Sequence, residues 1–108
     1  MTVNDLTKNT SLKLLTKGLD LSAEITKPFC CDLLSIAMGK APAGACWVTV
    51  TVNTNTLAVA TLTDVACIIF AEGSNVDQAL IDKAIDEEIP LFKTDLSEFE
   101  AALTAYTE

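Results

Sequence analysis

Cys46-Trp-Val-Thr-Val-Thr-Val-Asn-Thr-Asn-Thr-Leu-Ala-Val-Ala-Thr-Leu-Thr-Asp-Val-Ala-Cys-Ile-Ile-Phe-Ala-Glu-Gly73 decides the fold. It reads as a strand, a helix and a second strand, with the polar corner Asn53-Thr54-Asn55-Thr56 at the first junction. Residues 46–52 alternate, Val48, Val50 and Val52 against Trp47, Thr49 and Thr51, which is the period of a strand. The semi-polar Trp47/Thr49/Thr51 side either lines a cavity or subunit interface, or lies under a helix with its hydroxyls satisfied. Leu57, Val59, Ala60 and Leu62 mark the helix, opened by Asn55 or Thr56. Val65–Phe70 is apolar throughout, as in a strand covered on both faces. Two strands in this order, joined by a helical crossover, are parallel.

Working outward, the same alternation continues. Leu12–Thr16 predicts a strand, Lys17-Gly18 a turn, and Ala23–Thr26 a second short strand that stops before Pro28. Thr2 and Asp5 have the spacing of a capping box for a short helix reaching about Lys8. Phe29-Cys30-Cys31 is extended, and Asp32 is placed to cap a helix over 33–38 that ends at Gly39. Ser74 and Asp77 precede a helix with the stripe Leu80, Ile81, Ala84 and Ile85, which runs into Asp86-Glu87-Glu88. Pro90–Thr94 is a strand. Asp95 or Ser97 opens a last helix with Leu96, Phe99, Leu103 and Tyr106 on one face. From Phe29 onward the order is β-α-β-α-β-α-β-α. The expectation is a three-layer α/β domain over residues 1–108, with a mainly parallel sheet and helices on both faces.

Composition narrows the function. Half of the 108 residues are hydrophobic and 20% are charged, which favours a packed core over disorder. The net charge is −8, and all seven cations are lysine. With no arginine there is no bidentate fork for phosphate or carboxylate. With no histidine, the usual acid/base group at neutral pH and the commonest metal ligand are missing. The acidic balance excludes nucleic acid and anionic lipid as partners. No signal peptide or membrane span is read in the chain, so a cytoplasmic location is expected. The cysteines at 30, 31, 46 and 67 form no C-x-x-C pair. Cys46 and Cys67 read as buried core thiols, with a redox-sensitive vicinal pair at Cys30-Cys31 as the alternative. Neither a metal site nor a cofactor is expected.

Order and spacing also carry a family resemblance. Asp32-Leu-Leu-Ser35, Ala37-Met38-Gly39, Cys46-Trp-Val-Thr49, Asn55-Thr-Leu-Ala-Val-Ala60, Asp64-Val-Ala-Cys-Ile-Ile69 and Ala71-Glu-Gly73 together resemble the DRTGG-domain family, and Ile89-Pro-Leu and the run from Thr94 extend the likeness. The resemblance implies a fold like the N-terminal domain of HPr kinase/phosphorylase and a regulatory rather than catalytic role. The eponymous segment departs from the family at Asp20–Pro28: Thr26 is kept, the arginine is absent, and Lys27-Pro28 replace the paired glycines. Proline there fixes φ and removes an N–H.

An enzyme is not expected. Gly39-Lys40 is the only Gly-Lys pair, but Leu34 and Ala41 stand where a phosphate-binding loop needs Gly and Ser or Thr. No histidine is present to activate a serine or cysteine. No catalytic residue is assigned. The binding candidates are Asn53, Thr54, Asn55 and Thr56, at the carboxyl end of a strand and the amino end of a helix, joined by Asp32 and Ser35. The plainer reading of the corner is a helix cap and an Asx turn. The functional expectation is a ligand-sensing regulatory module, homodimeric, taking a nucleotide or small phosphate. The alternative is a protein-docking accessory subunit with no small-molecule site.

Overall fold

The computed structural model describes residues 1–106. Its elements are α1 (Val3–Leu6), β1 (Lys13–Leu14), β2 (Pro28–Cys30), α2 (Leu34–Lys40), β3 (Cys46–Thr49), α3 (Thr54–Thr63), β4 (Cys67–Phe70), α4 (Gln78–Asp86), β5 (Leu91–Lys93) and α5 (Glu98–Thr104). The five strands form one sheet in the order β1-β5-β4-β3-β2. β2, β3, β4 and β5 are parallel, and β1 pairs antiparallel with β5, Lys13 opposite Lys93. The α/β class and the mainly parallel sheet agree with the sequence reading.

The alternation of the strands divides the core. Cys46, Val48, Cys67, Ile69 and Phe92 face one layer, with Val3 and Leu6 of α1 and Ala101 and Ala105 from the C-terminal helical segment. Trp47, Ile68, Phe70 and Leu91 face the other, with Ala37, Leu57, Ala60, Leu80 and Ala84 of α2, α3 and α4. Helices therefore cover both faces, but all three crossover helices lie on the same side. β2 to β5 follow in sequence order, so each crossover advances the sheet in one direction with one hand. Once past β2 the chain leaves that side only after β5, when α5 joins α1 on the opposite face and packs against β2 and β3.

Several local readings are corrected. Residues 23–26 form no strand, only an isolated bridge from Thr2 to Glu24. The carbonyls of Leu21 and Ala23 instead accept from Asn4 and Val3 N–H, at 2.8 and 3.0 Å. This segment caps the first turn of α1, where orphan donors outcompete a sheet edge. At the same turn Asp5 accepts from Thr2 N–H at 2.8 Å, as the capping-box spacing predicts. β3 ends at Thr49, so Val50 and Val52 lie beyond the ladder. Of the residues that mark α3, Leu57, Val59 and Ala60 are buried, while Leu62 is 71% exposed. The Phe99, Leu103 and Tyr106 stripe also faces solvent, while Ala101 and Ala105 pack inward. Small residues allow α5 to sit close to the sheet, which turns its large side chains outward. Gly44 is held by both conformation and space. Its φ is +76°, and an added Cβ would lie 2.8 Å from Thr26 Cγ2.

Candidate functional site

The carboxyl ends of the parallel strands make one rim, and the polar corner stands on it. Asn53 is the N-cap of α3, with extended backbone, and its Oδ1 accepts from Asn55 N–H at 2.8 Å and Thr56 N–H at 3.1 Å. This places the cap two to three residues earlier than Asn55 or Thr56. Thr56 is buried and its hydroxyl donates to the Thr51 carbonyl at 2.6 Å. Two of the amides counted on for a ligand are thus held by the asparagine itself.

A groove of about 610 Å³ opens beside this cap. Val52, Asn53 and Thr54 form one wall, and Asn75, Asp77, Ala79, Leu80 and Lys83 the other. The groove therefore lies between the N-termini of α3 and α4, over the ends of β3 and β4. Its floor is partly apolar and its polar groups are amides, a hydroxyl, a carboxylate and one ammonium. Asp77 caps α4 by accepting from Leu80 N–H at 2.9 Å. Lys83 Nζ lies 3.3 Å from Glu87 Oε1. Of the six residues read as binding candidates, Asn53 and Thr54 line the groove. Asn55 is exposed, Thr56 turns inward, and Asp32, on the β2–α2 connection, and Ser35, in the first turn of α2, lie off the groove. The second wall was missed, although Gly73-Ser74-Asn75 repeats the strand–polar turn–helix signal of the first.

Asp32 has a different role from the helix cap expected of it. Leu33 occupies the N-cap of α2 with no side-chain hydrogen bond. Asp32 Oδ1 accepts from Thr49 Oγ1 and from Val50 N–H, both at 2.9 Å, and its carbonyl accepts from Thr51 Oγ1 at 2.9 Å. Trp47 Nε1 donates to the Cys31 carbonyl at 2.9 Å. The semi-polar side of β3 is thus satisfied by the β2–α2 connection and packed under helices, the second of the two readings of that face.

The same aspartate meets Glu98 at the start of α5. Partial burial, a hydrogen bond to Asp32 and the negative charges of Asp32 and Glu72 push the Glu98 carboxyl up to about 7. Burial alone would raise Asp32, but the Val50 N–H, the Glu98 carboxyl and the Thr49 hydroxyl outweigh it and hold Asp32 below the ordinary range. The pair is thus split, Glu98 keeping its proton to higher pH while Asp32 ionises early, as close carboxyl pairs do. Cys30 Sγ is 3.9 Å from the Glu98 carbonyl, and burial followed by the Glu98 charge raises its thiol. Nothing in the sequence joins residues so far apart. Among the described residues no group of three or more Cys, Asp or Glu side chains is placed to hold a metal ion. No helix among them is long and apolar enough to cross a membrane.

No family model matches the chain, and no curated protein matches it in sequence. In structure it is similar to the CBS and DRTGG domains of the regulatory region of Clostridium perfringens pyrophosphatase, a crystal structure determined in complex with the activator diadenosine tetraphosphate. The identity is 12% and the TM-score 0.70. The match covers 96% of this chain and 45% of that one, so the present chain spans less than half of the regulatory region it resembles. What the likeness establishes is the fold: a DRTGG-like α/β arrangement of a kind found in a regulatory region.

Proposed function

We propose that the chain is a non-catalytic regulatory module that senses a nucleotide or small phosphate in the groove between α3 and α4. The observation that carries this reading is the meeting of Asn53, Thr54 and Lys83 around an apolar floor in about 610 Å³. That volume is within the range of small-molecule sites. Val52 and Leu80 offer contact to a base or other apolar body. The ends of two helices and one lysine favour the anionic part. Two groups oppose an anion: Asp77 carries negative charge into the groove, and Glu87 competes for Lys83. The resulting site favours a weakly held metabolite, which suits a sensor. The similar regulatory region binds a dinucleotide activator, and this supports the class of ligand without identifying it.

The test is thermal shift with adenine and uridine nucleotides and inorganic phosphate at millimolar concentration. A nucleotide is expected to raise Tm. Lys83→Ala abolishes the shift, and Asp77→Asn, which keeps a capping side chain while removing the charge, enlarges it. A flat response to every compound overturns the sensor reading. It would favour instead an accessory subunit that docks on a protein, a reading supported by the outward face of α5, where Phe99 and Leu103 are 71% and 54% exposed.

A further inference from the structure

Between Asp32 and Asp64 the sequence carries a single charge, Lys40, in a chain with seven cations and fifteen anions. The structure places most of the exposed part of that segment on one surface, because α2 and α3 pack side by side on the same face of the sheet. The solvent side of this pair presents Ile36, Met38 and Leu62, which are 44%, 52% and 71% exposed, and Leu33 precedes α2 at 62%. Ala58, one turn before Leu62, is exposed as well. α3 contains no charged residue along its ten positions. Its exposed positions, Thr54, Asn55, Ala58, Thr61 and Leu62, are all uncharged, so this face can be covered without desolvating an ion.

We infer that the α2–α3 face is the surface on which a second copy of this chain docks. The argument is electrostatic. Two copies carry −8 each, and contact through most of the remaining surface sets like charges together. The other apolar face, on α5, is bordered by Asp95, Glu98 and Glu100, so two copies meeting there would bury or oppose carboxylates. The α2–α3 face lets identical surfaces meet across a two-fold axis with almost no charge to desolvate. A basic protein would find no counter-charge there. α3 is about 15 Å long, so the contact falls well below the ~800 Å² per partner of a standard interface. The dimer is therefore a reversible one. The inference does not depend on what the groove binds.

Sedimentation equilibrium of the 108-residue chain without ligand tests it, from micromolar to millimolar protein and at low and high sodium chloride. A monomer–dimer equilibrium is expected that tightens as salt screens the mutual repulsion. Leu62→Glu and Ala58→Glu weaken it at least tenfold, whereas Phe99→Glu and Leu103→Glu leave it within twofold. Leu62 is exposed, so circular dichroism of L62E is expected to match the parent; if it does not, Thr61→Glu on the same solvent side carries the test. A monomer at all concentrations overturns the inference. So does a dimer that salt weakens, that F99E breaks, or that L62E and A58E leave intact.

Discussion

The stability of this chain should fall as pH rises from 5 to 7.5, and Glu98 should be the cause. In the folded state its carboxyl titrates at about 7, against an ordinary value of 4.5. Below 4.5 the side chain is protonated whether folded or not, and the stabilising hydrogen bond to Asp32 is fully present. Between 4.5 and 7 the folded chain holds a proton that the unfolded chain has released, so unfolding becomes easier with each step of pH. Above 7 the folded carboxyl ionises as well, and two carboxylates face each other with Glu72 nearby. The full shift corresponds to at most about 3 kcal/mol. Asp32 is exposed and water reaches the rim, so screening leaves about 1 kcal/mol. In a domain of this size that moves Tm by roughly 4–8 °C. The chain is well suited to the measurement because it has no histidine. No other type of side chain ordinarily titrates between pH 5 and 7.5. Glu98→Gln keeps a donor for Asp32 and removes the titration. Thermal melts at half-unit pH steps should show the parent declining by about that amount while E98Q stays level. Parallel curves for the two proteins would refute the raised titration of Glu98.

Two further outcomes follow from side chains already placed. Asn53→Ala removes the acceptor for two amides of α3 and should lower stability by about 1 kcal/mol, read as a lower urea midpoint with unchanged slope; an unchanged midpoint would mean that the cap is dispensable. Thiol titration under native conditions should modify Cys31 and Cys30 well before Cys46 and Cys67, which are fully buried and register partners on β3 and β4. Rates for Cys46 and Cys67 equal to those in denaturant would mean that the core is open.

Much of the fold was legible because its signals are local. Val65–Phe70 is too apolar to lie anywhere but the middle of the sheet, and Asp77 and Ser97 cap the helices they precede. The errors came where long-range contacts decide. Ala23–Thr26 has strand composition, yet α1 requires its carbonyls. Phe99 and Leu103 share a face of α5, with Tyr106 beyond its end, but periodicity cannot say which face a helix buries when alanines lie on the other. Asp32 sits where a cap belongs, and two donors from the end of β3 claim its carboxylate instead. The candidate groove was half legible. The Asn53 corner follows from the strand–turn–helix signal, and the wall from Asn75 to Lys83 could have been found by applying the same signal once more.

The unreversed order of β2 to β5 bears on how the molecule assembles. Each βα unit lies beside its predecessor, so the middle of the chain can be laid down stepwise with modest loop closure. Only the two ends break this rule. Lys13–Leu14 must wait for Phe92–Lys93, and α5 must travel back beneath β2 and β3. Both closures need the last strand in place, and together they bind the first unit to the fourth. Cooperativity in an otherwise incremental architecture thus resides in its ends, and a chain clipped at either one would lose the clasp that makes four stacked units melt as a single body.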